Sequence, residues 1–177
     1  RLIHAPTALP VVYGVEITAV TTAAEMQRAV LEALPGSDAL IMAAAVADFR
    51  PAETAAQKIK KGAAGEGLTL ALERTPDILA SVADQPDGRR PGAVVGFAAE
   101  TESLLENATA KLRAKRLDLM VANDVSAADS GFEVDTNRVV LLTPNGHQEA
   151  LPLMSKFDVA ERVVRRVADI LEAKNRG

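Results

Sequence analysis

The sequence predicts an α/β fold: a doubly wound, mostly parallel sheet with helices on both faces and an added β-hairpin. Three observations point there. Short apolar runs alternate with segments whose apolar residues recur at helical spacing. Two of the runs, Ala39–Ala44 and Ala93–Phe97, are continuous rather than alternating, as in strands covered on both faces. Near the C-terminus, Pro144-Asn145-Gly146 separates two further runs, Arg138–Leu142 and His147–Leu151, which is a hairpin signal.

The elements follow in order. Val15–Val20 reads as a strand. Thr22 and Glu25 then form a Thr-x-x-Glu capping box, in which each satisfies a free N–H at the start of a helix. Met26, Val30, Ala33 and Leu34 carry that helix to Pro35-Gly36, which stops it. After the Ala39–Ala44 strand, the stretch Phe49–Gly67 has no apolar period and holds Pro51, Gly62, Gly65 and Gly67, so it is expected to be a long exposed loop. Leu68–Leu72 is a strand candidate. Thr75-Pro76-Asp77 supplies an N-cap, an N1 proline and a first-turn acid for the next helix. Ala93–Phe97 is a strand. A helix from about Glu102 to Lys115 carries Leu105, Ala108 and Leu112, and the strand Leu117–Ala122 comes next. From Asn123 to Thr136 the chain is polar and turn-rich. Ser155 caps a last helix whose apolar positions are Phe157, Ala160, Val163, Val164, Val167, Ile170 and Leu171.

The whole chain sets limits. Its 177 residues suit one domain, read as residues 1–177, long enough to bury a core. Net charge is −4, which disfavours nucleic acid as a general partner and leaves any anionic ligand to a local basic cluster. Without cysteine there is no disulfide framework, thiolate metal site or thiol nucleophile, and this fits a cytoplasmic enzyme. No apolar run approaches the roughly 18 residues of a membrane-spanning helix. His4 and His147 lack metal-ligand spacing and read as surface residues. Domains of this class usually open with a strand, a glycine-rich turn and a helix. Here Arg1-Leu2-Ile3 resembles the end of a second strand, so a first βα unit is expected to be absent from the 177 residues.

Ligands of open α/β sheets bind beyond the carboxyl ends of the strands. Asp48, the Thr75–Asp77 helix start, Phe97 and Asn123-Asp124 all fall at such ends and could share one crevice. Each could equally be an ordinary turn or cap residue. Lys58-Ile59-Lys60-Lys61 is the densest basic cluster. Its ammonium groups repel unless solvated or neutralised by an anion such as a nucleotide triphosphate, and both readings stand. Lys111 and Lys115, four residues apart on one helix, share a face beside its apolar stripe.

Ala43-Ala44-Ala45-Val46-Ala47-Asp48-Phe49-Arg50 carries a more specific signal. Together with Lys58–Lys61, Thr75-Pro76-Asp77-Ile78-Leu79, Val95–Thr101 and Ala122-Asn123-Asp124-Val125, it resembles the phosphopantothenate–cysteine ligases. In bacteria these usually form the C-terminal half of a bifunctional protein whose other half is a decarboxylase. The resemblance runs from about Val15 to Asn175. It implies a Rossmann-like fold and a two-step ligation in coenzyme A synthesis. CTP activates the carboxylate of 4′-phosphopantothenate as an acyl cytidylate with release of pyrophosphate. The amine of L-cysteine then displaces CMP. Positive charge must offset the triphosphate, and Mg2+ would bridge phosphate oxygens.

By that resemblance Lys58 is the catalytic lysine of a flap that closes on the triphosphate. Met42, Ala43, Ala44, Asp48, Pro76, Asp77, Ile78, Leu79, Phe97, Lys111 and Lys115 would contact the nucleotide. Ala44 and Ala45 would also line the intermediate, and Asp48 could assist Mg2+. The family is dimeric, so a homodimer is implied, with higher assembly possible through a fused decarboxylase. The family's N-terminal Asn-Arg-Ser-Ser-Gly segment has no match here. Two rivals remain: an NAD(P)-dependent reductase of similar fold, and a truncated domain that only dimerises.

Overall fold

The computed structural model describes residues 1–10, 12–59, 67–100, 104–124 and 135–176. At its centre is a five-stranded sheet of order β10-β9-β7-β6-β3. Strands β3 (Ala39–Met42), β6 (Ala93–Glu100) and β7 (Leu119–Asp124) are parallel, with Ile41 opposite Val95 and Phe97 opposite Val121. The expected hairpin adds β9 (Val139–Leu142) and β10 (Gln148–Ala150) antiparallel at one edge. Gly146 turns it with a φ of 85°, a conformation that a side chain would strain. At the other side, β1 (Leu2–His4) and β2 (Ile17–Ala19) form a separate parallel pair.

Strand parity divides the core into two layers, because successive side chains point to opposite faces. Val94, Ala98, Met120, Ala122 and Leu142 pack against α1 (Ala23–Ala33), α2 (Ile78–Ala83) and α3 (Leu104–Ala114) through Met26, Val30, Leu79, Val82, Ala108 and Leu112. Ala93, Val95, Leu119, Val121, Val139 and Leu141 pack against α4 (Lys156–Asn175) through Val159, Val163 and Val167. The sheet is thus covered on both faces, as the continuous apolar runs require.

The capping box at Thr22 and Glu25 forms as expected. Thr22 Oγ1 accepts from the Glu25 N–H at 3.2 Å, and the Glu25 carboxylate accepts from the N–H groups of Thr22 and Thr21 at 3.0 and 2.7 Å. Ser155 caps α4 through the Asp158 N–H.

Four expectations are corrected. Phe49 does not open a structureless loop: Phe49–Pro51 is a strand, β4, paired antiparallel with β5 (Leu72–Arg74) and tied by an Arg50–Glu73 ion pair at 2.6 Å. The strand read at Leu68–Leu72 therefore lies further along the chain. Helix α2 starts two residues later than expected, with Asp77 rather than Thr75 as its N-cap. The α4 stripe is narrower: Val159 is buried, whereas Phe157, Ala160 and Val164 face outward, with Phe157 72% exposed. Only one ridge of that helix meets the sheet, so the wider apolar stripe overstates the buried face. Two short bridging strands, β8 (Thr136–Asn137) and β11 (Met154–Ser155), complete the chain.

Candidate functional site

The chain leaves β3 at Met42 and runs through small residues to Asp48 along the carboxyl edge of the sheet. The β4–β5 hairpin then returns it beside its own start. The Thr75 N–H donates to the Asp48 carbonyl at 2.9 Å, and the Thr75 hydroxyl donates to the Ala47 carbonyl. This explains the shift in α2: the Thr75 side chain tethers the two segments and is not available to cap a helix. Asp77 caps instead, accepting from the Ala80 N–H at 3.0 Å.

A cavity of about 350 Å3 opens at this point. Its walls are the 44–48 segment, Thr75 and the start of α2, the β6 end at Phe97–Ala99, and Lys111 and Lys115 from α3 and its C-terminal turn. Met42 forms part of the floor with Ile78 and Leu79, all three largely buried. Lys115 pairs with Asp77 at 3.0 Å across the cavity wall. Burial pushes the Asp77 carboxyl up, but the Ala80 N–H bond and the Lys115 ammonium outweigh it, so Asp77 sits below the usual aspartate range. It is therefore ionised at neutral pH, and Lys115 is held in place by a charge that an incoming anion must share.

Of the residues singled out from sequence, Met42, Ala44, Ala45, Asp48, Pro76, Asp77, Ile78, Leu79, Phe97, Lys111 and Lys115 line this one cavity. Residues as far apart in sequence as 42 and 115 meet there. Ala43 instead lines a groove between β1 and β3. Lys58 is exposed and is not among the lining residues. Lys60, Lys61, Thr101 and Val125 fall outside the described residues. Asn123 is not among the residues lining this cavity, and its Oδ1 is buried without a hydrogen-bond partner among the described residues.

Sequence reasoning missed Thr75 as a tether, and it missed a second cavity on the other side of the 44–47 segment that includes Arg50. The Ala-rich run was the available signal, since small side chains at a strand end leave room for ligand on both sides. The Arg50–Glu73 pairing could not be read before the hairpin was known. Among the described residues, no three His, Asp or Glu side chains cluster as a metal cage, and no helix is long and apolar enough to cross a membrane.

A mostly parallel sheet covered by helices on both faces, with a cavity open at its carboxyl edge, places the chain in the Rossmann-like class of α/β domains. Residues 1–171 match the family described as DNA/pantothenate metabolism flavoprotein C-terminal domain, and the chain belongs to that family. The coenzyme A biosynthesis bifunctional protein CoaBC of Bacillus subtilis is 43% identical over 168 residues, covering 94% of this chain and 40% of that protein. The chain thus spans about 40% of the length of such relatives. A crystal structure of the C-terminal domain of a CoaBC protein superposes with a TM-score of 0.77 at 32% identity, covering 97% of this chain and 74% of that one. A Cab2 variant in complex with phosphopantothenate-cysteine shares the fold, with a TM-score of 0.65 at 18% identity over 90% of this chain and 55% of its own.

Proposed function

We propose that this domain joins 4′-phosphopantothenate to L-cysteine in coenzyme A biosynthesis, using CTP and passing through an acyl cytidylate. The observation that carries the reading is the convergence of Asp48, Asp77, Phe97, Lys111 and Lys115 on one cavity at the carboxyl edge of the sheet. Kinship with the bifunctional CoaBC proteins supports it, as does the product-like ligand of the Cab2 complex.

The chemistry follows from the groups present. A carboxylate resists attack by an amine until one oxygen becomes a good leaving group. Transfer of a cytidylyl group to that oxygen provides one, as pyrophosphate departs from the α-phosphorus. Lys111 and Lys115 lie where they can offset the triphosphate charge. The backbone at Ala44 and Ala45 lets the acid approach closely, because no long side chain intervenes. Phe97, 38% exposed at the cavity wall, would contact the base. Lys58 acts as a closing cation from the exposed segment that follows β4.

Asp48 lines the same cavity, and its carboxylate is a hard oxygen donor that would help to hold Mg2+. Mg2+ would supply charge neutralisation on the triphosphate. The apolar side chains Phe49, Leu70 and Leu72 on and beside the β4–β5 hairpin are each more than half exposed. They fit a homodimer, with a decarboxylase fused in the longer polypeptide.

The test is pyrophosphate release from CTP, phosphopantothenate and cysteine. It should be run on this chain and on the longer protein with the preceding segment restored. The longer protein is expected to release pyrophosphate only when the acid is present, and Lys58→Ala should slow release without altering the fold. Failure of the longer protein to form a cytidylate would overturn the proposal. Undiminished cytidylate formation by the lysine variant would remove only the role of Lys58.

A further inference from the structure

The two walls of the lysine-lined cavity are held in different ways. The start of α2, which forms one wall with residues 76–79, is anchored by α1 and by the C-terminal turn of α3. The Gln27 side-chain amide donates to the Ser81 hydroxyl at 2.7 Å, and that hydroxyl donates to the Asp77 carbonyl at 2.9 Å. Lys115 pairs with the Asp77 carboxylate at 3.0 Å. The opposite wall, residues 44–48, is exposed except at Val46. Among the described residues, the hydrogen bonds that fasten it to the α2 side both come from Thr75.

Those two bonds differ in what they ask of the sequence. The Thr75 N–H donates to the Asp48 carbonyl at 2.9 Å, which extends the β4–β5 pairing by one residue. Any residue other than proline supplies that donor. The bond to the Ala47 carbonyl needs a hydroxyl on a short side chain. It carries the connection one residue past the end of the strands. Pro76 follows at once, and its ring fixes φ, so the direction in which the chain leaves Thr75 is stiff.

Resting on the ligase reading, we propose that Thr75 is a positioning residue for the transfer of the nucleotidyl group. Its hydroxyl sets the spacing between the 44–48 wall, with Asp48, and the wall built by α2 and α3. Lys111 and Lys115 stand on the α3 side and do not depend on that hydroxyl. Its loss therefore leaves most of the nucleotide's contacts in place and disturbs the alignment of the reacting groups. Alignment is the more sensitive quantity, since a misplacement of about 1 Å costs roughly 100-fold in rate. The bond itself lies at an exposed position. Without it the Ala47 carbonyl can turn to water, so the fold loses little.

The test is steady-state pyrophosphate release by the longer protein and its Thr75 variants. Thr75→Val keeps the β-branched shape and removes the donor. Its kcat is expected to fall at least ~10-fold while the KM for CTP stays within about threefold. CTP should raise the Tm of this variant as much as that of wild type. Thr75→Ser keeps the hydroxyl and should hold kcat within about threefold of wild type. Thr75→Ala, which is smaller and also lacks the donor, should follow Thr75→Val, so the test survives if the valine does not fit.

An unchanged kcat in a folded variant without the hydroxyl overturns the assignment. So does a raised KM for CTP at constant kcat, which would make Thr75 a binding contact. A serine variant as slow as the valine variant also overturns it, because the hydroxyl would then not be the group that matters. Failure of the ligase reading looks different: the unaltered longer protein would release no pyrophosphate with any acid, and the role of Thr75 would fall with it.

Discussion

Asp77 shows how one side chain links the fold to the site. Its carboxylate caps α2 and pairs with Lys115, so the helix start and the lysine are positioned together. The side chain is half exposed, so solvent screens much of the ion pair. Asp77→Ala should cost about 1 kcal/mol, the usual value of a lost N-cap. Asp77→Asn keeps a capping oxygen and removes the charge, separating the two roles. The pH dependence has a definite sign. The folded pKa lies below the ordinary 3.8, so the carboxylate's contribution is complete above that pH and is lost as pH falls through the lower folded value. Thermal melts should therefore show wild type above Asp77→Asn at pH 7, with the gap closing as the carboxylate is protonated in acid. A gap that persists in acid would mean the charge is not what stabilises this corner.

Elements differ in how plainly the sequence announces them. The strands at Ala39–Met42 and Ala93–Glu100 and the capping boxes and caps at Thr22 and Ser155 are local, and each is readable from a few neighbouring residues. The β4–β5 pairing is not, because Arg50 and Glu73 lie 23 residues apart and the glycines and proline between them mark a loop without fixing which residues pair across it. The shift of the α2 start has the same cause: the partner of Thr75 is Ala47, 28 residues away. Gly96 in the middle of β6 is another such case, since its need comes from the packing of other elements. A Cβ added there would meet Leu117 Cδ1 at 2.7 Å and Leu79 Cδ1 at 3.1 Å. Both leucines are buried, so neither can swing into solvent. Gly96→Ala should destabilise by about 1–3 kcal/mol through overpacking. It should also displace Leu79 on the cavity floor, so the loss of stability should come with weaker nucleotide binding. A variant as stable as wild type in urea unfolding would show that the two leucines can yield.

At the scale of the molecule, the convergence of distant segments decides function, and it was only partly legible. The alanine run, the Thr-Pro-Asp start and the paired lysines each suggested a role, yet nothing in their spacing showed that 44–48, 75–79, 97 and 111–115 meet in one place. Topology brings them together: β3 and β6 are adjacent and parallel, so their carboxyl ends and the segments that follow them share one edge. The division into two cavities was not legible at all, because it depends on how α1 sits beside the 44–47 ridge.

That arrangement makes a prediction about the whole domain. A ligand that bridges 44–48, α2 and α3 couples segments that otherwise meet through few polar contacts, so it should stabilise the folded state as a unit. At a hundred times its Kd, CTP should add about 2.7 kcal/mol. For a domain of this size, that corresponds to roughly 5–10 °C in Tm. On the ligase reading, NAD at the same concentration should shift Tm far less than CTP. Differential scanning calorimetry with each ligand, repeated on Lys111→Ala, separates the readings. A CTP shift that vanishes in the variant assigns the stabilisation to this cavity. An NAD shift equal to or larger than that of CTP would instead make the domain a reductase-type binder and remove the basis for cytidylate chemistry.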